Sequence, residues 1–97
     1  MPKKRVDLKR IRKQEERRLR NRSNRSRART FVKRALTAME SPEVDLEEAR
    51  AELQMAISVL DRTARKGAIH RNAAARRKSR LMLRLNNLVA EAEVAAS

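Results

Sequence analysis

From Ala28 onward the chain sets an apolar residue at every third or fourth position: Ala28, Val32, Ala35 and Met39, with Phe31 and Leu36 alongside. That spacing makes one stripe along an α-helix. A second stripe follows at Leu46, Ala49, Leu53, Ala56 or Ile57, Leu60 and Ala64, and a third at Ala74, Leu81, Leu85 and Leu88. Between Arg12 and Arg27, by contrast, Leu19 is the only apolar residue. A helix that is polar on every face gains little from packing, so this stretch is expected to project from the core and to become fully ordered only when a partner neutralises it.

The breaks between stripes are readable as chemistry. Ser41-Pro42 ends a first helix predicted over 7–39, because proline excludes the helical conformation from the residue before it. Asp45 with Glu48 three residues on resembles a capping box and predicts the start of a second helix. Lys66-Gly67 ends that helix, with glycine free to adopt the left-handed conformation. A third helix is predicted over about 70–92. Three stripes joined by two short connections predict an all-α fold, an antiparallel three-helix bundle with an extended, protruding N-terminal helix. Residues 1–97 are read as a single domain, with a basic helical extension over 1–30, the bundle over 31–92 and a tail over 93–97. Ordering a residue costs about 1.5 kcal/mol, so a core this small is expected to be only marginally stabilising without a partner.

Charge changes the picture. The 97 residues carry a formal net charge of +14. Residues 1–34 hold sixteen Lys or Arg against three acids, residues 35–65 are net acidic, and residues 66–84 hold seven basic residues and no acid. Self-repulsion on this scale opposes compaction and calls for a polyanion, by default nucleic acid, whose condensed counterions the basic groups release. No run of eighteen apolar residues is present to span a bilayer, no apolar stretch behind the basic start suggests a signal peptide, and no membrane partner is expected. Cysteine is absent, which excludes thiol catalysis and thiolate metal sites. The single histidine, His70, lacks a second metal-ligating or nucleophilic partner, so a helix-start role or a polar contact to RNA is expected of it rather than catalysis. No enzyme, cofactor, metal or small-molecule substrate is expected. One aromatic residue, Phe31, cannot stack successive bases, so the expected partner is a folded duplex or junction gripped through its backbone.

Two clusters would supply that grip. No acid falls between Arg17 and Arg34, where Arg17, Arg18, Arg20, Arg22, Arg25, Arg27 and Arg29 offer forked donors matched to phosphate, and Asn21, Ser23, Ser26 and Thr30 add neutral ones. Arg76, Arg77, Lys78, Ser79 and Arg80 form the second, at the N-terminal half of the third helix, where positive charge opposes the macrodipole unless an anion is near. A competing pattern exists. Leu46, Leu53 and Leu60 repeat every seven residues behind a basic helix, as in a basic-zipper or nucleoid-associated DNA binder, but Ser41-Pro42 and Gly67 interrupt the required continuity.

The run Lys66-Gly67-Ala68-Ile69-His70-Arg71-Asn72-Ala73-Ala74-Ala75-Arg76-Arg77-Lys78-Ser79-Arg80-Leu81 resembles the S20 family of bacterial small-subunit ribosomal proteins, as do Lys9-Arg10-Ile11-Arg12, Arg17-Arg18-Leu19-Arg20-Asn21, Ser26 and Thr30. The likeness covers about residues 8–88, and the acidic tail beyond Leu88 falls outside it. The resemblance implies a structural constituent of the small subunit in the cytoplasmic ribosome that binds 16S ribosomal RNA early in assembly. It further implies a bridge between that RNA's 5′ domain and its long penultimate stem, beside other small-subunit components. It also implies RNA contact at Arg17, Arg18, Arg20, Asn21, Ser26, His70, Asn72, Arg76, Lys78, Ser79 and Arg80. With the basic clusters, the full expected RNA-binding set is Lys3, Lys4, Arg5, Lys9, Arg10, Arg12, Lys13, Arg17, Arg18, Arg20, Asn21, Arg22, Ser23, Arg25, Ser26, Arg27, Arg29, Lys66, His70, Arg71, Asn72, Arg76, Arg77, Lys78, Ser79, Arg80 and Arg84.

Overall fold

The computed structural model describes residues 4–96, with side chains from Asp7 to Ala96. Three helices make up the fold: α1 (Lys4–Glu40), α2 (Leu46–Arg65) and α3 (Arg71–Ala96). Lys3 therefore lies outside the described residues, and Lys4 and Arg5 are described only as backbone at the start of α1. Compared with the sequence expectation, α1 begins a turn earlier and α3 runs on to Ala96. Both extensions have the same cause. No glycine or proline intervenes, and Ala90, Ala92, Ala95 and Ala96 are strong helix formers.

The ends of α2 show why the chain turns where it does. Asp45 sits in an extended conformation, and its Oδ1 accepts from the Glu47 N–H at 3.0 Å and the Glu48 N–H at 3.4 Å. The reciprocal half of the capping box is not formed. Glu48 instead lines the cleft between α1 and α2. At the other end Gly67 takes φ +78, the left-handed conformation that only glycine adopts without penalty. Its N–H donates to the Ala64 carbonyl at 3.0 Å, and the Ala68 N–H donates to the Thr63 carbonyl at 3.1 Å. Those two bonds make a Schellman motif, which satisfies the last carbonyls of α2 and turns the chain toward α3.

The core alternates alanine with larger aliphatic side chains. Ala28, Ala35 and Met39 of α1 meet Ala49, Leu53, Ala56, Val59 and Leu60 of α2, and Leu81 and Leu85 of α3 close the cluster. Phe31, Val32, Leu36, Ile57 and Leu88 pack against it while half-buried. Val59 and Thr63 are buried beyond the apolar stripe visible in the sequence. Thr63 tolerates this because its hydroxyl donates to the Val59 carbonyl one turn back, at 2.6 Å.

Only the second half of α1 takes part. Every described residue from Asp7 to Arg20 is exposed, and the core begins at Ala28. A helix of 37 residues reaches about 55 Å, whereas the 20 residues of α2 reach about 30 Å. The principal extents are accordingly 77 × 21 × 14 Å, with a radius of gyration of 19.1 Å. A compact domain of this length would have a radius of gyration near 13 Å. The molecule is a short bundle carrying a long basic rod.

Candidate nucleic-acid interface

Fourteen of the expected contact residues, from Lys9 to Arg29, stand on α1, and all of them are exposed apart from the half-buried Asn21. Residues three, four and seven apart share a helical face. Arg18, Arg22, Arg25 and Arg29 thus line one flank of α1, the same flank that carries Glu40. On α3, the spacing of Arg76, Arg80 and Arg84 lines one flank in the same way. A single bond fixes how the two flanks are related: Arg84 Nη2 donates to Glu40 Oε1 at 3.0 Å. The bridge brings the middle of α3 against the end of α1, so the two rows of arginine border a common seam.

A second convergence lies at the other end of the bundle. The turn between α2 and α3 folds back beside the protruding half of α1, where Arg17, Arg20, Asn21 and Ser23 line a notch together with Lys66 and Gly67. These residues are more than forty positions apart in the chain. Asn24 shares the notch and is absent from the expected set; an asparagine inside an arginine run carries no signal of its own.

His70 precedes the first residue of α3 and acts as its N-cap. Its Nδ1 accepts from the Asn72 N–H at 3.1 Å, while its carbonyl accepts from the Ala74 N–H at 3.1 Å. The helix-start role expected of it is what the structure shows. Arg71 and Asn72 follow in the first turn, exposed beside Arg76 and Arg77.

Lys78 is placed differently from its neighbours. It occupies the core-facing slot one turn after Ala74 and just before Leu81, half-buried, and its Nζ donates to Asp61 Oδ1 of α2 at 2.9 Å. The structure therefore gives Lys78 a partner within the protein, on the flank of α3 away from the arginine row. Ser79 is exposed and lines a shallow depression with Ala75, Met82 and Leu83. The Lys78–Asp61 and Arg84–Glu40 ion pairs are both substantially solvated, and pairs of this kind contribute on the order of 0–1 kcal/mol each. Their value is positional.

Apart from Glu40, the acids around the start of α2 stand away from the arginine rows. Glu43, Asp45, Glu48 and Glu52 border a cleft between α1 and α2, opposite Thr30, Lys33 and Arg34. Chemically, the described surface offers many guanidinium donors, a few neutral donors and a capped helix start. No group of three or more His, Cys, Asp or Glu residues able to hold a metal ion occurs among the described residues, and no described helix is long and apolar enough to cross a membrane.

Comparison with known proteins agrees with this surface. The family model described as Ribosomal protein S20 matches residues 2–86. The small ribosomal subunit protein bS20 of Thermomicrobium roseum is 56% identical over 89 residues, covering 92% of this chain and 88% of that protein. The bS20 of Heliobacterium modesticaldum is 45% identical over 89 residues, covering 92% and 99% respectively. That of Aquifex aeolicus is 42% identical over 96 residues, covering 99% and 100%.

Proposed function

Since the chain belongs to the ribosomal protein S20 family, we propose that it is built into the small ribosomal subunit, in the cytoplasmic ribosome, as a structural constituent that grips 16S ribosomal RNA through the two arginine-lined surfaces. It is not an enzyme. The observation that carries the reading is the convergence of basic residues from separate helices along the α1–α3 seam and at the α1 notch. Two rows of forked donors flanking a groove match a backbone of phosphates at many points at once. Neutral groups such as Asn21, Ser23 and Asn72 are suited to the ribose 2′-hydroxyls that distinguish RNA from DNA.

In this reading residues 1–30 form an extension embedded in RNA and the bundle over 31–92 seats it. The regions gripped are the 5′ domain and the long penultimate stem of 16S ribosomal RNA. The resemblance of the Lys66–Leu81 block supports those regions, and the length of α1 supports a contact to more than one RNA element. Stabilising their mutual arrangement during assembly is the mechanical consequence. The basic-zipper alternative loses its seam, because Leu53 and Leu60 are buried inside the bundle and α2 folds back on α1.

Competition decides between RNA and generic nucleic acid. A folded fragment holding the 5′ domain and penultimate stem should displace duplex DNA from the protein at equal salt. Tagged protein should also cosediment with small subunits through high salt. Equal affinity for generic duplex DNA would overturn the reading.

A further inference from the structure

Phe31 is the chain's one aromatic side chain, and it lies half-buried against the core from α1. Two guanidiniums rest against its ring: Arg34 at 5.1 Å from the centroid and Arg27 at 5.7 Å. A cation within about 6 Å of a ring centroid is drawn to the quadrupole of the ring face. Arg27 and Arg34 are two helical turns apart, with Phe31 on the turn between, so one anchored ring holds both. Two exposed like charges would otherwise separate in solution.

What the two arginines do not do is equally informative. Glu48 and Glu52 line the same cleft as Arg34, yet among the described residues neither Arg27 nor Arg34 forms an ion pair. A guanidinium stacked through its plane retains its in-plane N–H donors for another partner. Two such forks held by one ring suit a chain of anions with several acceptor oxygens, each fork taking its own phosphate.

We propose that Arg27, Phe31 and Arg34 form a preorganised two-guanidinium site for phosphate oxygens of the RNA backbone. Arg34 is then a further RNA-binding residue, and Phe31 is a positioning residue that acts through both arginines. The proposal rests on the RNA-binding reading above. It puts a phosphate contact on the α2 side of α1, away from the α1–α3 seam, so that α1 is held from two flanks.

The test is filter binding of the full chain to 16S ribosomal RNA over a salt series, with circular dichroism melting of each variant. Four variants are needed: Arg27→Ala with Arg34→Ala; Phe31→Leu; the combination of all three; and Arg76→Ala with Arg80→Ala. The double alanine variant on α1 should weaken binding and make the log–log salt slope shallower by about 2, near 0.9 for each phosphate that is no longer neutralised. Phe31→Leu keeps an apolar side chain against the core and should weaken binding several-fold, with little further effect when added to the double variant. Additive effects would show that Phe31 does not act through the arginines and would overturn its role. Unchanged affinity and slope in the α1 double variant, with weakened binding in the α3 pair, would overturn the phosphate site and leave the RNA-binding reading standing. Unweakened binding in both pairs would sink that reading as well. A lowered melting temperature with unchanged affinity of the folded protein would assign Arg27 and Arg34 to the bundle and also overturn the proposal.

Discussion

At His70 the ring nitrogen that caps α3 is Nδ1, so the neutral imidazole carries its proton on Nε2. One side chain thus starts a helix with one nitrogen and offers a donor from an exposed ring with the other. His70→Ala should lower unfolding free energy in urea by about 0.5–2 kcal/mol, and His70→Asn, a good cap, should restore most of it. Equal destabilisation in the two variants would show that the cap contributes nothing. A sharper contrast separates contact from core. Leu53 is 4% exposed, and Leu53→Ala in so small a core should cost about 2–5 kcal/mol, lowering RNA binding only through unfolding. Saturating RNA should partly rescue it, because a ligand of the folded state stabilises by mass action. Replacing Arg76 and Arg80 with Ala should leave the melting temperature unchanged or raised, while affinity falls without rescue. The outcome that fails this account is an unfolded arginine variant that binds normally whenever it is folded. Lys78 does not belong in that pair, since its removal also breaks the bond to Asp61.

At the level of helices, what the chain signals locally is what it also forms. Ser41-Pro42, Asp45 and Lys66-Gly67 act through neighbouring backbone, so their effect is written in adjacent residues. The apolar stripes follow from helical period alone and mark nearly the whole core. What the sequence hides depends on residues far apart in it. The bond between Lys78 and Asp61 joins positions 17 apart on different helices, and the cluster Arg76–Arg80 reads as uniform until the fold sorts its members onto opposite flanks. Thr63 is hidden for another reason, since a hydroxyl satisfied within its own helix can be buried like an alanine. Among the local signals Gly67 is the most exacting. A Cβ added there meets nothing within 4 Å, so Gly67→Ala should cost only the left-handed conformation, about 1–2 kcal/mol by urea unfolding. A cost well beyond that would mean the Schellman turn itself collapses. The protruding half of α1 poses the opposite case, a helix with no packing to sustain it. In the free protein, amides up to about Arg20 should exchange almost unprotected, and 16S ribosomal RNA should protect them from about Arg10 onward. Protection in the free protein equal to that of α2 would end the coupled-ordering account.

Taken as a whole, the molecule keeps its basic rows along the α1–α3 seam and half of its twelve acids on α2 or the turn before it, so its field is directional as well as strong. If about 6–10 phosphates are neutralised, log affinity against log salt should fall with a slope of roughly −5 to −9, measured from about 50 to 200 mM. A slope shallower than about −2 would mean that most of the arginines stay solvated. The uninterrupted backbone of α1 adds a constraint of another kind. Because no proline, glycine or break separates its protruding half from its packed half, the two share one screw axis, and the bundle sets the rotational phase of every arginine outboard of it. One residue inserted near Asn24 would turn the entire outer row by about 100°, while a seven-residue insertion would nearly restore its phase and shift it outward by about 10 Å. The rod behaves as the cut of a key, in which length can vary by whole turns and angle hardly at all.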